Sequence, residues 1–403
     1  MTSVIVVIGP GVVADAQLLG EIAEREFAAL GVSGWVVPVA DADEALKAIP
    51  AGAAVVIPGP DPGLRRLMTE PRPGAPVTGA VPGVVWLDLT HTGPVDVPHG
   101  DAHLYGRGID GLTWAIRHAV HRLRHPARRV PYGPHPDQWG DLRLPAGATP
   151  GAPVPVVAVI HGGYWRSIWA ADLMDALSAD LATRGFASWN IEYRRPDLHG
   201  WDATTADIHA ALDALTALDA SPHRSERDVH TDPDPSDRDT RAAASDRDAA
   251  HPTALGASLD LTRLAVAGHS AGGQLALRAA ADRHDIALAI SLAGVLDLVE
   301  ADRRHVSSGA VAAALGGTSD ALPDVYAASS PLARLPLGVP TLIVQGTHDD
   351  PDLLDAARRY TLAAHTAGEP PTYLEAPGDH FSVINPTSPI WQATAAAVAQ
   401  HLG

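Results

Sequence analysis

The sequence predicts an α/β fold made of two successive parallel-sheet units. Three observations carry that expectation. Strand-like apolar runs alternate with amphipathic stretches from Ser3 to Leu123. The alternation resumes at Val154 and continues to Leu402. Between an apolar run and an alanine-rich helix stands Gly268-His269-Ser270-Ala271-Gly272. Alternation of this kind implies parallel strands covered by helices on both faces. A G-x-S-x-G at a strand-to-helix turn is a nucleophile elbow, with the serine on a strained backbone at a helix N-terminus. Gly268 and Gly272 must then be small so that strand and helix can pass each other.

Composition narrows the function classes. A chain of 403 residues is long for one domain, and two is the natural expectation. Hydrophobic residues make up 46%, enough for a sizeable core. A net charge of −18 argues against nucleic acid or an anionic membrane surface as partner. Cysteine is absent, which excludes disulfides, thiolate zinc sites and a cysteine nucleophile. Arginine almost wholly replaces lysine, Lys47 being the only one. The opening MTSVIVVIGPG lacks a basic region and a cleavage site, so it reads as a first strand rather than a signal peptide. No apolar run reaches the ~18 residues of a membrane span. A cytoplasmic protein acting on a small-molecule substrate without a cofactor is expected, with homo-oligomerisation left open.

Taken in order, strands are expected at Ser3–Ile8, Gly34–Val39, Ala53–Ile57 and Gly83–Leu89, and helices at Asp15–Leu30, Asp41–Ile49 and Gly111–Leu123. These make a flavodoxin-like domain over residues 1–125. Gly106-Arg107-Gly108-Ile109-Asp110-Gly111 is formally a G-x-G-x-x-G. A dinucleotide fingerprint belongs after the first strand, whereas this one precedes the last helix, so it reads as a glycine turn that could hold an anion. VVWLDLTH followed by GRGIDGLTWAI resembles the C-terminal half of type II 3-dehydroquinate dehydratases, which are flavodoxin-like. The resemblance puts His91 at that family's catalytic histidine. Departures elsewhere, such as Gly9-Pro10-Gly11 after the first strand and Pro58-Gly59-Pro60-Asp61-Pro62 after the third, point to a degenerate, non-catalytic relative kept for packing, oligomerisation or ligand sensing.

His125–Pro136, rich in Pro and Arg, reads as the linker into a second domain over 126–403. Expected strands are Asp141–Pro145, Val154–Ile160, Phe186–Tyr193, Ile286–Leu292, Pro340–Val344 and Thr372–Glu375, with the elbow strand before Ser270. Helices are expected at Ala170–Thr183, Ala203–Leu218, Asp352–Thr366 and Thr387–Leu402, and Asp297–Leu335 reads as short helical pieces forming a lid. Residues 219–260, dense in Asp, Arg, Pro and Ser, read as a disordered insertion too polar to offset its ordering entropy. This order of elements is that of an α/β-hydrolase.

A serine hydroxyl needs a base, an acid orienting that base, and donors for the oxyanion. In this fold the chain order is Ser, Asp or Glu, His. After Ser270, a strand ends in Gly346-Thr347-His348-Asp349-Asp350, where the pattern favours Asp349 over Asp350 as the acid. His380 follows the last strand and is the expected base, while His269 and His348 read as local structure, the ring of His269 pointing elsewhere. Adjacent His348-Asp349-Asp350 make a poor metal ligand set. The oxyanion donors are expected to be the N–H of Ala271 and of Gly163, with Gly162 or Tyr164 contributing, from the loop His161-Gly162-Gly163-Tyr164. HGGYW, GHSAGG, G-x-x-D and a late D-H-F together resemble the kynurenine formamidase (arylformamidase) branch of α/β-hydrolases and nearby carboxylesterases. The likeness extends to Tyr132-Gly133 and Glu192-Tyr193-Arg194. It implies cleavage of an ester or aryl formamide. Trp165 and Trp169 are candidates for the wall of an aromatic pocket, and Arg166 and Arg194 for meeting a substrate carboxylate.

Overall fold

Apolar runs that bury both faces become the central strands. A computed structural model describes residues 2–49, 53–71, 83–90, 93–98, 100–219 and 257–403. The first unit runs β1 (Ser3–Ile8), α1 (Ala16–Leu30), β2 (Ser33–Pro38), α2 (Ala42–Ala48), β3 (Ala53–Ile57), α3 (Pro62–Thr69), β4 (Val85–Asp88), β5 (Ala102–Tyr105) and α4 (Gly111–Arg124). Its five strands are parallel in the order β2-β1-β3-β4-β5, the doubly wound order of flavodoxin-type sheets. β3 and β4 are buried throughout. Aspartates start the helices: the Asp15, Asp41 and Asp61 carboxylates accept from the N–H of Leu18, Glu44 and Leu64. The short α3 and β5 were not expected, because neither is long enough to show a period.

The second unit runs β6 (Arg128–Pro131), β7 (Trp139–Arg143), β8 (Val154–Ile160), α5 (Asp175–Thr183), β9 (Ala187–Ile191), α6 (Pro196–His199), α7 (Trp201–Asp219), β10 (Leu259–His269), α8 (Ala271–Asp282), β11 (Leu288–Leu292), α9 (Leu298–Arg303), α10 (Val306–Leu315), α11 (Pro323–Ser329), β12 (Thr341–Gly346), α12 (Pro351–Thr366), β13 (Thr372–Ala376) and α13 (Pro389–Leu402). Eight strands lie in the order β13-β12-β11-β10-β8-β9-β7-β6. β7 is antiparallel to both its neighbours, and the remaining pairs are parallel. This is the α/β-hydrolase arrangement, with β10 at the sheet centre. No helix among the described residues is long and apolar enough to cross a membrane.

Two expectations change. The stretch His125–Pro136 is not simply a linker, since β6 inside it pairs antiparallel with β7. An edge strand tolerates the Arg and Pro that disguised it. The insertion is also shorter than 219–260. Asp219 is the last residue of α7, and its carboxylate accepts from the Leu259 N–H (2.9 Å) and the Ser258 hydroxyl (3.3 Å), tying helix end to strand start. Residues 220–256, on which the expectation of disorder falls, lie outside the described residues, as does His91.

Helix α4 is buried on two faces. Leu112, Ala115, Ile116, Ala119 and Val120 fill the first unit's core. Trp114 packs into the core of the second unit instead. His118 and Arg143 both bond Asp175 at the start of α5, which joins the two units through a buried carboxylate. Burial pushes the carboxyl of Asp175 up, but the adjoining His118 and Arg143 side chains outweigh it and hold it below the usual range.

Burial depresses His121 on α4, and His103 on β5, to pKa values of about 4. An unfolded histidine titrates near 6.5. Between those values the unfolded chain binds more protons, so stability rises with pH and falls on acidification, by at most ~1.4 kcal/mol per pH unit for each ring. Urea unfolding between about pH 7 and about pH 4.5 is expected to show this loss, and His121→Gln to flatten the slope by close to one proton.

Candidate active site

Three backbone segments meet at the end of β10. Ser270 lies between β10 and α8 with φ 56° and ψ −120°, a conformation costly for a residue with a Cβ. The surroundings hold it there: its N–H donates to Leu292 O (2.9 Å), and its carbonyl accepts from Gly273 N (2.9 Å). A Cβ on Gly268 would lie 1.9 Å from Gly272 O, and one on Gly272 would lie 2.2 Å from Ile160 O. One on Gly162 would lie 2.8 Å from Ser270 Cβ and 2.6 Å from His269 O. Elbow, helix and the loop after β8 are therefore in backbone contact.

The carboxylate follows β12 and the imidazole follows β13. His380 Nδ1 lies 3.0 Å from both Asp349 oxygens. With a carboxylate at Nδ1, the proton sits there and Nε2 keeps its lone pair. Asp349 is itself oriented, accepting from Gln345 Nε2 (2.8 Å) and from Asp350 N (2.7 Å). Its side chain is 2% exposed, against 24% for His380. Asp350 has a different task, capping α12 by accepting from Asp352 N. His348 is exposed.

His269 departs from the expectation that its ring points elsewhere. The ring is buried, its Nε2–H donates to the His380 carbonyl (2.9 Å), and the two ring centroids are 4.6 Å apart. Burial, reinforced by His380, holds its pKa well below the histidine range, so the ring is neutral. Side chains alternate along a strand, and Gly268 occupies the crowded face. The preceding and following residues of such an elbow cannot both point to solvent, and that was the signal available in the sequence.

The loop His161–Tyr164 leaves β8 and turns beneath the elbow. Gly163 (φ 109°), Tyr164 (φ 51°) and Trp165 (φ 57°) all have positive φ. His161 stacks on Tyr193 at 4.4 Å, and the Tyr193 hydroxyl donates to His161 O (3.0 Å). The Tyr132 hydroxyl donates to Glu192 O (2.5 Å), and Glu192 Oε2 accepts from Ala171 N (2.8 Å). Glu192 Oε1 lies 3.3 Å from His161 Nε2, so Tyr132 and the adjacent pair Glu192-Tyr193 brace one loop. Ala271 is the first residue of α8, where an N–H has no partner within the helix.

Trp165 does not line an open pocket. It is 1% exposed, donates to Gln274 Oε1 (3.2 Å) and packs edge-on against Trp201. Trp169 is half-buried, with its Cβ against Gly163. Arg194 is committed to Asp207 (2.7 and 2.9 Å), and exposed Arg166 donates to Ser307 O. Among the described residues, the ligand atoms of His135, Asp137 and His199 converge within 4.8 Å. His135 Nδ1 accepts from Asp137 N, and Asp137 pairs with Arg195, so these groups are already engaged with one another.

The chain matches the prolyl oligopeptidase family over residues 249–397 and the BD-FAE family over residues 141–221. The first span holds Ser270, Asp349 and His380, and the second holds the loop from His161. No curated protein matches the chain. Among solved structures it is similar to a bifunctional GH43-CE protein of Bacteroides eggerthii (TM-score 0.53, 16% identity, 68% of this chain and 35% of that one). This chain thus spans about a third of that protein's length. It is also similar to a truncated carbohydrate esterase from gut microbiota (TM-score 0.52, 15% identity, 68% of this chain and 94% of that one). These likenesses establish the α/β-hydrolase fold.

Packing at the elbow makes a sharp prediction. Gly268→Ala is expected to lose about 3 kcal/mol or more in urea unfolding, because the clash is with backbone and cannot relax. Gly20→Ala in α1 meets nothing within 4 Å and is expected to stabilise by roughly 0.5–1 kcal/mol.

Proposed function

We propose that the chain is a serine hydrolase that cleaves a carboxylic ester or aryl formamide of a small molecule through an acyl-enzyme. The observation that carries this reading is the bond from His269 to the His380 carbonyl, which brings the Asp349-bound imidazole up to the neighbour of Ser270. Ser270 Oγ attacks the carbonyl carbon while His380 Nε2 takes its proton. Asp349 holds the Nδ1–H tautomer and stabilises the imidazolium that forms. The negative oxygen is met by the N–H of Ala271 and of Gly163, with Gly162 or Tyr164 contributing, and by the positive end of α8. His380 gives the proton to the departing alcohol or amine. Water, activated by the same ring, then releases the acid and restores Ser270.

Carbohydrate esterases on this fold support the ester over other hydrolysable bonds, and HGGYW with GHSAGG supports the aryl formamide as the further substrate class. In this reading residues 1–125 form a non-catalytic domain, and the chemistry belongs to residues 126–403.

A fluorophosphonate is expected to label the chain at Ser270. Ser270→Ala should abolish labelling and lower kcat by about 10⁶-fold, and Asp349→Asn by about 10⁴-fold. Retention of a tenth or more of the activity in Ser270→Ala overturns the assignment. Comparison of kcat/KM on p-nitrophenyl acetate, p-nitrophenyl butyrate and N-formylkynurenine decides between ester and formamide.

A further inference from the structure

The G-x-G-x-x-G turn before α4 is not absorbed by the hydrolytic reading, and neither is the tryptophan one turn into that helix. Both face the hydrolase sheet. Arg107, in the turn, is buried and crosses to the segment that follows the HGGYW loop. Its Nη1 and Nη2 reach the two oxygens of Asp172 at 2.6 and 2.8 Å, and its Nε donates to Ile168 O at 2.6 Å. The guanidinium also lies 4.6 Å from the Trp169 ring centroid. Paired, planar and desolvated, this fork fixes both distance and angle. On the inner side, the same segment is held by Ala171 N on Glu192. Trp169, gripped in this way, is the residue that lies against Gly163.

Trp114 reaches the other catalytic loop. It is 8% exposed, and its ring meets Trp169 edge-on at 6.1 Å and Phe381 at 5.4 Å. Phe381 follows His380 directly, lies 5.6 Å from the His269 ring, and is 42% exposed although it is a large apolar residue. One aromatic side chain of the first unit therefore supports a residue beside the oxyanion loop and a residue beside the base.

We propose that the N-terminal unit is a positioning element of the ester site. Arg107 fixes the segment behind the oxyanion loop, and Trp114 braces the His380 loop through Phe381. Neither residue touches the reacting atoms. Both act by holding the donors and the base in register, where displacement by about 1 Å costs up to 10²-fold in rate. The inference rests on the reading of Ser270 as nucleophile.

The test uses the full chain, with p-nitrophenyl butyrate as substrate and a fluorophosphonate as probe. Failure of the wild type to label at Ser270 overturns the reading of the site, and this inference with it. Given labelling, Trp114→Ala and Arg107→Lys are each expected to lower kcat about tenfold with KM little changed, and to shift the acid limb of the kcat/KM profile. Trp114→Phe should restore most of the rate. A second measurement needs no substitution: phosphonylation of Ser270 in the wild type is expected to slow amide exchange in α4 several-fold. Unchanged exchange in α4 overturns the proposal. So does a cooperatively folded Arg107→Lys or Trp114→Ala chain that keeps the wild-type kcat and acid limb.

Discussion

The constraint on which the site depends is the absence of three side chains. Gly268, Gly272 and Gly162 let β10, α8 and the loop after β8 approach until their backbones touch. Nothing larger than hydrogen fits at any of the three positions. That contact forces Ser270 into a conformation it would not otherwise adopt, and it sets the loop after β8 against the serine's own Cβ. Strain at Ser270 is held by the sheet on one side, through Leu292 O, and by the first turn of α8 on the other. The local cost is thus spread over a core in which β11 and β12, beside the elbow strand, are buried from end to end.

Electrostatics follow from that close packing. Because the elbow is dry, its polar groups have to satisfy one another. His269 is neutral for want of solvent and donates its single proton to the His380 carbonyl. The Asp349 side chain is buried, and its oxygens collect a side-chain amide, a backbone N–H and the His380 ring. The imidazole is therefore held at both ends, by a carboxylate on its ring and by a neighbouring ring on its backbone. Catalysis by a preorganised site asks for this kind of rigidity, since no reorganisation is then needed as charge develops.

Features with a local cause were legible in the sequence. The elbow was, because two glycines around a serine have one geometric use between strand and helix. The pairing of Asp349 with His380 was, because each follows the end of a neighbouring strand, β12 and β13. Both sheets were, because strands and helices alternate. What was hidden depends on partners distant in sequence. β6 looked like a linker until β7 supplied its hydrogen bonds. Trp165 looked like a pocket wall, yet Gln274 and Trp201 claim it. His269 looked inert because the carbonyl it serves lies 111 residues away.

Helix α4 shows how far such distant partners reach. An ordinary surface helix buries one stripe, and its outer face is free to vary. α4 buries Leu112, Ile116 and Val120 in one core and Trp114 in the other. Trp114 there meets Phe381 beside His380 and Trp169 against Gly163. A unit joined only for solubility or spacing would have no need of a buried bidentate ion pair, since desolvating Arg107 and Asp172 is costly unless geometry is kept. The bidentate geometry of Arg107 on Asp172 ties the two units together at a defined distance and angle. The site at Ser270 needs that same property, a single arrangement.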